Sequence, residues 1–256
     1  MTAPIDPKEP AEPIGPMAPL EPVSHASPEL IAVAQRYARR APTDRYSLLN
    51  PDVWLTLQER QRAMLRLFAR RGWRDLSALR LVEVGCGSGT NLLELLRFGF
   101  APEHLAGVEL LPERHAVARH VLPPALALHE GDASALAMPE ASQDIVYVST
   151  VFSSLLDDAF QQRLAAAMWR WVKPGGGVLW YDFTVNNPRN LDVRGVPLRR
   201  VRDLFPDGDI EAGRVTLAPP IARALARVHP GLYAVANVFP ALRTHVLAWI
   251  GKSARR

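Results

Sequence analysis

Residues 83–92, Glu-Val-Gly-Cys-Gly-Ser-Gly-Thr-Asn-Leu, constrain the fold more than any other part of this 256-residue sequence. The apolar run Leu79-Arg-Leu-Val82 precedes them, and the leucine-rich stretch Asn91-Leu-Leu-Glu-Leu-Leu-Arg-Phe98 continues as a helix. A strand that turns sharply into a helix through three glycines lets a ligand approach bare backbone. The acidic Glu83 narrows the choice of ligand. A pyrophosphate-binding fingerprint requires Gly-x-Gly-x-x-Gly. Here the third glycine, Gly89, comes one place early, and a carboxylate repels an anion. A cationic ligand suits the loop better.

From Leu79 onward, apolar runs alternate with helical stretches, the pattern of a parallel sheet covered on both faces. Candidate strands are 79–84, 105–109, 125–129, 144–149 and 177–182, with helices over 113–121 and 159–172. Arg214-Val-Thr-Leu217 and Thr244-His-Val-Leu-Ala-Trp-Ile250 read as two closing strands. Four landmarks fall in order along this pattern: Glu109 ending the second strand, the turn Gly131-Asp-Ala133, the strand Asp144–Thr150, and the turn Lys173-Pro-Gly-Gly-Gly-Val-Leu179.

Together with the glycine loop, these landmarks resemble the motifs of class I S-adenosylmethionine (SAM) methyltransferases of the type 11-like group, from about Leu79 to Phe183. The resemblance implies a doubly wound, Rossmann-like α/β fold with a seven-stranded sheet and SAM as cofactor. It implies contacts from Glu109 to the ribose hydroxyls and from Asp132 to the exocyclic amine of adenine. The full cofactor set it implies is Glu83, Gly85, Cys86, Gly87, Gly89, Glu109, Leu110, Asp132, Ala133 and Ser149.

Three regions follow from the chain's composition. Residues 1–28 carry proline at every third position from Pro4 to Pro22, the period of polyproline II, with few large apolar side chains to order them. They read as a disordered or semi-rigid tail. Residues 29–78 read as an N-terminal helical cap. Ser27-Pro28 and Asn50-Pro51-Asp52 are helix starts, and the second helix stops near Gly72. In similar methyltransferases such a piece covers the cofactor, and Tyr37, Arg45 and Tyr46 are placed over the site as substrate contacts. Residues 79–256 form the SAM-binding domain.

No apolar run reaches the ~18 residues of a membrane span. With Cys86 as the only cysteine, no intrachain disulfide can form, and a cytoplasmic setting is natural. The net charge of +4 comes almost wholly from arginine, interspersed with acids, and does not point to nucleic acid. No metal-ligand cluster is expected.

The acceptor is read from the carboxyl half. Ser149-Thr-Val-Phe152 stands where adenine N-methyltransferases usually carry Asn/Asp-Pro-Pro-aromatic, which argues against that class. A hydroxyl acceptor calls for proton removal, and Asp182, at the end of the fifth strand, is the candidate base. His245 reads as packed. The segment 186–202 holds five arginines against one local acid, Asp192. Asn187, Arg189 and Arg194 are its candidate substrate residues, since guanidinium forks suit phosphate or carboxylate. The carboxyl half also resembles bacterial methyltransferases of surface-polysaccharide assembly. That resemblance implies a small-molecule or glycan acceptor, anionic or lipid-linked, methylated on oxygen at the inner face of the membrane. The ending Trp249–Arg256 offers peripheral membrane contact only. The alternatives are a small-metabolite methyltransferase of the same fold and a non-enzymatic SAM-binding scaffold with the proline tail as its partner-binding element.

Overall fold

The computed structural model describes residues 27–39, 44, 47–188 and 190–254. Arg45, Tyr46, Arg189 and nearly all of the proline-rich tail lie outside the described residues.

Two helices come first, α1 (Pro28–Ala38) and α2 (Pro51–Arg70). Each opens on a proline, whose fixed φ suits a first helical turn. Neither Ser27 nor Asn50 caps its helix through the side chain; Asn50 instead donates its side-chain amide to the Asp44 carbonyl (2.6 Å). The chain then alternates through β1 (Leu81–Val84), α3 (Thr90–Phe98), β2 (Leu105–Glu109), α4 (Pro112–Val121), β3 (Ala127–Glu130), β4 (Gln143–Ser149), α5 (Asp158–Trp171) and β5 (Val172–Phe183). It closes through α6 (Leu198–Leu204), β6 (Asp209–Leu217), α7 (Pro219–Val228), α8 (Gly231–Ala236) and β7 (Arg243–Gly251).

The seven strands form one sheet in the order β3-β2-β1-β4-β5-β7-β6. The first five are mutually parallel, and β7 is antiparallel to both neighbours. This is the doubly wound seven-stranded sheet expected from the sequence. Strand alternation sends Val82, Val146, Val178, Trp180 and Ala248 to one face. It sends Leu81, Ile145, Tyr147, Leu179, Tyr181, Leu247 and Trp249 to the other. Helices α1 and α5 cover the first face, and α2 and α3 cover the second.

Several boundaries differ from the sequence reading. Leu79 closes a turn onto the Leu76 carbonyl, so β1 starts two residues later than expected. The segment Lys173–Gly176, expected as a free turn, bulges within β5: Gln143 pairs with Val172 and Ile145 with Gly177. The chain beyond β7 engages it there, with Gly175 donating to the Lys252 carbonyl and Lys252 donating to the Gly176 carbonyl (both 2.9 Å). Both closing strands run longer than their apolar cores suggest.

Candidate active site at the switch point of the sheet

The strand order reverses between β1 and β4, so the loops leaving their carboxyl ends diverge, the general position of ligand sites in open α/β sheets. A cavity of about 310 Å³ opens there, at the lower end of the ordinary range for small-molecule sites. Its walls include Gly85, Cys86, Gly87, Glu109, Leu110, Asp132, Ala133 and Ser149. Eight of the ten residues expected around the cofactor thus converge on one space, whereas Glu83 and Gly89 are not among its walls.

The glycine loop is held from below by β2. Gly85 and Cys86 donate to the Val108 carbonyl (2.8 and 3.0 Å). Glu109 accepts from the amides of Gly87 (2.7 Å) and Leu111 (2.9 Å). Gly87 has φ +60, and a Cβ there would stand 2.4 Å from the Arg114 guanidinium, inside the cavity's own wall. Gly89 serves packing instead, because a Cβ there would meet Leu122 at 2.8 Å. Burial, with Glu83 and Glu109 nearby, pushes the Cys86 thiol well above its usual range, so a nucleophilic thiolate is disfavoured. Asp132 accepts from the Ser134 amide (2.7 Å) and hydroxyl (2.9 Å), which fixes the turn after β3.

Helix α1 closes one side. Leu30, Val33 and Tyr37, at spacings of three and four, face the cavity. The helix is fastened by buried Arg36, which donates to Glu29 (2.6 Å) and to the Ser154 carbonyl (2.9 Å). Glu29 in turn accepts from the Leu156 amide (2.7 Å). The Arg114 guanidinium lies 5.2 Å from the centre of the Tyr37 ring, within cation–π range.

A buried ionic cluster lies behind the glycine loop, and the sequence reading missed it. Arg60 of α2 donates to Asn91 (2.7 Å), Glu94 (2.8 Å) and Ser149 (3.4 Å) and lies over the Tyr181 ring. Burial opposes its charge, but Tyr147, Glu94 and Tyr181 outweigh that and raise its affinity for the proton. Asn91 also donates to Glu83 (2.6 Å). Burial pushes the Glu83 carboxyl up to about 8, against the opposing pull of Asn91 and Arg60. Arg60 Nε, Glu83 Oε2 and Glu94 Oε1 are buried without a partner among the described residues. Buried polar atoms are costly unless paired, and Arg60 and Asn91 reach the cavity wall. One signal was available: Arg60 lies four residues before Met64 and eight before Phe68, on the buried stripe of α2. Arg114 and Thr150 were also missed. Thr150 holds a left-handed φ of +55 at the cavity wall, and strain of this kind concentrates at functional sites.

The acceptor candidates fare less well. Asp182 does not open on the cavity: it is buried on the α5 face of the sheet, accepting from the Ser153 amide (3.0 Å) and its neighbour Phe183 (2.9 Å). Burial pushes its carboxyl up to about 7 despite these bonds. Arg194, read as unmatched, is ion-paired with Asp158 at the start of α5. It borders a separate cleft of about 180 Å³ with Arg199 and Arg200. Local counting of charges could not show a partner 36 residues away. Asn187 is exposed in the segment after β5. His245 is packed as expected, stacked on Tyr181 at 5.1 Å, and burial pushes it down to about 4. Within the ending, Trp249 and Ile250 are buried in β7 and Lys252 donates to the Trp169 and Val172 carbonyls, while Arg255 and Arg256 lie outside the described residues.

Residues 81–176 match the model of a methyltransferase domain family. Comparison with curated protein sequences returns no match. Several solved structures are similar. An S-adenosylmethionine-dependent methyltransferase from Mesorhizobium loti shares 17% identity over 75% of this chain and 95% of its own, with a TM-score of 0.53. Geranyl diphosphate C-methyltransferase from Streptomyces coelicolor A3(2) shares 12% over 88% and 98%, at 0.59. Phosphoethanolamine N-methyltransferase 2 from Haemonchus contortus shares 16% over 88% and 57%, at 0.56. At such identities the likeness is one of fold. The family match spans β1 to the bulge of β5, the part of the sheet that builds the glycine loop and most of the cavity, so this part of the chain is similar to a methyltransferase domain.

Proposed function

We propose that the chain methylates a hydroxyl oxygen of a saccharide, free or on a lipid-linked glycan intermediate. The observation that carries this reading is the gathering of the glycine loop, Glu109, Asp132 and the hydroxyl-bearing Ser149, Thr150 and Ser154 around one cavity. Hydroxyl side chains match a polyol acceptor, and the sequence after β4 lacks the motif usual for adenine amines.

The residues present fit SAM. The cradle at Gly87 would be filled by any side chain, and orphaned polar atoms of both signs lie just behind the wall. Glu109 and Asp132 retain lone pairs beyond those used by backbone amides, enough for ribose hydroxyls and an adenine amine. Arg60 and Asn91 suit the carboxylate and ammonium of the methionine part, with Glu83 acting at one remove through Asn91. SAM, when bound, would supply a sulfonium methyl to an in-line acceptor oxygen, with S-adenosylhomocysteine leaving as the neutral thioether and the hydroxyl proton passing to solvent. The protein's share is to hold the acceptor oxygen in place and keep water out, with α1 as the cover. Such positioning supplies on the order of 7–11 kcal/mol of a barrier. Asp182 is assigned to positioning rather than proton removal, because it holds the Ser153 turn beside the cavity and is not among the cavity's walls. Asn187, at the same end of the sheet, is assigned to the acceptor.

Incubation with labelled SAM and a panel of nucleotide sugars, lipid-linked glycans and phenols tests the reading. Label in a saccharide hydroxyl is the expected result. Label confined to phenols would reject the saccharide and point to a small aromatic metabolite.

A further inference from the structure

We propose that the face surrounding the cavity mouth seats on the surface of an anionic lipid bilayer. Three separate stretches of chain meet at this face: the segment before α2, the segment after β5, and everything between β6 and β7. Strand register places the last of these. Leu217 at the end of β6 pairs with Arg243 at the start of β7, while Phe183 at the end of β5 pairs with His245. The α7–α8 connection therefore leaves from the same end of the sheet as the cavity, the carboxyl ends of the parallel strands. The start of α2 joins it there, since Leu55 packs with Leu217 and Tyr233.

These stretches present large apolar side chains to solvent. Leu49 is 91% exposed, Leu191 85%, Val228 77% and Val238 69%, with Val235 and Phe239 also exposed. Large apolar side chains exposed on three stretches at one end of the sheet suit an interaction surface. Charge indicates which surface. From Ala212 to the end of the sequence there is no Asp or Glu, and Arg223, Arg227 and Arg243 lie in the α7–α8 connection and its exit. The acids of the neighbouring stretches are Asp44, Asp52 and Asp192, the last held by Arg39 (3.1 Å). Apolar side chains on helix ends and loop tips, interleaved with arginine, suit the headgroup boundary of an anionic leaflet. Among the described residues no helix is long and apolar enough to cross a membrane, so the contact is one of lying on the surface. In that pose the cavity opens toward the bilayer, and a lipid-linked acceptor reaches the methyl donor without leaving it. This consequence rests on the proposed acceptor, whereas lipid binding itself needs neither SAM nor acceptor, so the two readings fail separately.

Flotation of the full chain with vesicles tests the surface, comparing phosphatidylcholine alone with equal parts phosphatidylcholine and phosphatidylglycerol. Binding to the anionic vesicles is expected, and Val238→Asp with Phe239→Asp should weaken it about tenfold or more. Val121→Asp, at the far end of α4, should bind as the parent does. Should the double variant misfold, Arg223→Gln with Arg227→Gln should lose the preference for the anionic vesicles while keeping its thermal midpoint. Absence of binding to anionic vesicles overturns the proposal, as does binding untouched by both pairs of substitutions. A dimer in light scattering that the apolar substitutions dissociate, with vesicles left unbound, would assign the face to a second copy of this chain instead.

Discussion

Glu83 lies buried behind the glycine loop, with one oxygen held by Asn91 and the other without a partner among the described residues. Its carboxyl is raised from 4.5 to about 8, so it is largely protonated at neutral pH. The sign for stability follows. Its contribution is fully present below pH 4.5 and is lost as pH rises through about 8. A ligand ammonium nearby favours the carboxylate and lowers that value. S-adenosylhomocysteine binding near pH 7.5 should therefore release a proton, measured by calorimetry in buffers of different ionisation enthalpy. Glu83→Gln should abolish that release, and an unchanged release would assign it to another group. Gly87→Val should remove cofactor binding, because a branched side chain would enter the space now held by Arg114. Retained affinity in direct titration would show that the ligand lies elsewhere. At this scale the sequence was legible where backbone chemistry demanded a residue type, as at Gly87 and Glu109. It was opaque where a long charged side chain turned inward: nothing local separates buried Arg60 from Arg62, beyond the position of Arg60 on the apolar stripe.

Helix α1 covers the cavity through Leu30, Val33 and Tyr37, and its fastening depends on the buried pair Arg36–Glu29. Truncating one partner of such a pair leaves the other charge buried and costs roughly 3–5 kcal/mol. Arg36→Ala should therefore loosen α1, seen as faster amide exchange over residues 30–38, and weaken S-adenosylhomocysteine binding. Exchange unchanged from the parent would mean that apolar packing alone holds the helix. The contrast is Arg194, whose pairing with Asp158 is partly exposed. Pairs of this kind contribute about 0–1 kcal/mol. Arg194→Ala should leave the thermal midpoint and cofactor affinity close to the parent, and a large fall in either would show a role in the cavity. Elements were read well from apolar periodicity because the central strands bury both faces and most helices one stripe. Their ends were not, since Lys173–Gly176 reads as a turn and takes part in β5 only through pairing with residues after β7. The pairing partner is more than seventy residues away in sequence, and no local pattern encodes it.

For the molecule as a whole, the cofactor class separates from its rivals by linkage. Any ligand that binds only the folded state stabilises it, by about 2.7 kcal/mol when present at a hundredfold its dissociation constant. For a chain of this length each kcal/mol moves the thermal midpoint by roughly 2–4 °C, so saturating S-adenosylhomocysteine should raise it by about 5–11 °C. NAD(H) should not, because the third glycine comes one place early for the dinucleotide turn and the buried acid Glu109 lies beneath the loop, accepting from the Gly87 amide. A doubly wound sheet by itself would admit either ligand, which is why the fold alone could not decide. The decision rests on charge and spacing at one loop, and both are legible in the sequence. Differential scanning fluorimetry with each ligand reads the outcome directly. A shift with NAD(H) and none with S-adenosylhomocysteine would sink the assignment of the cavity. A shift with S-adenosylhomocysteine that persists in Gly87→Val would instead preserve the ligand and relocate its contacts away from the glycine loop.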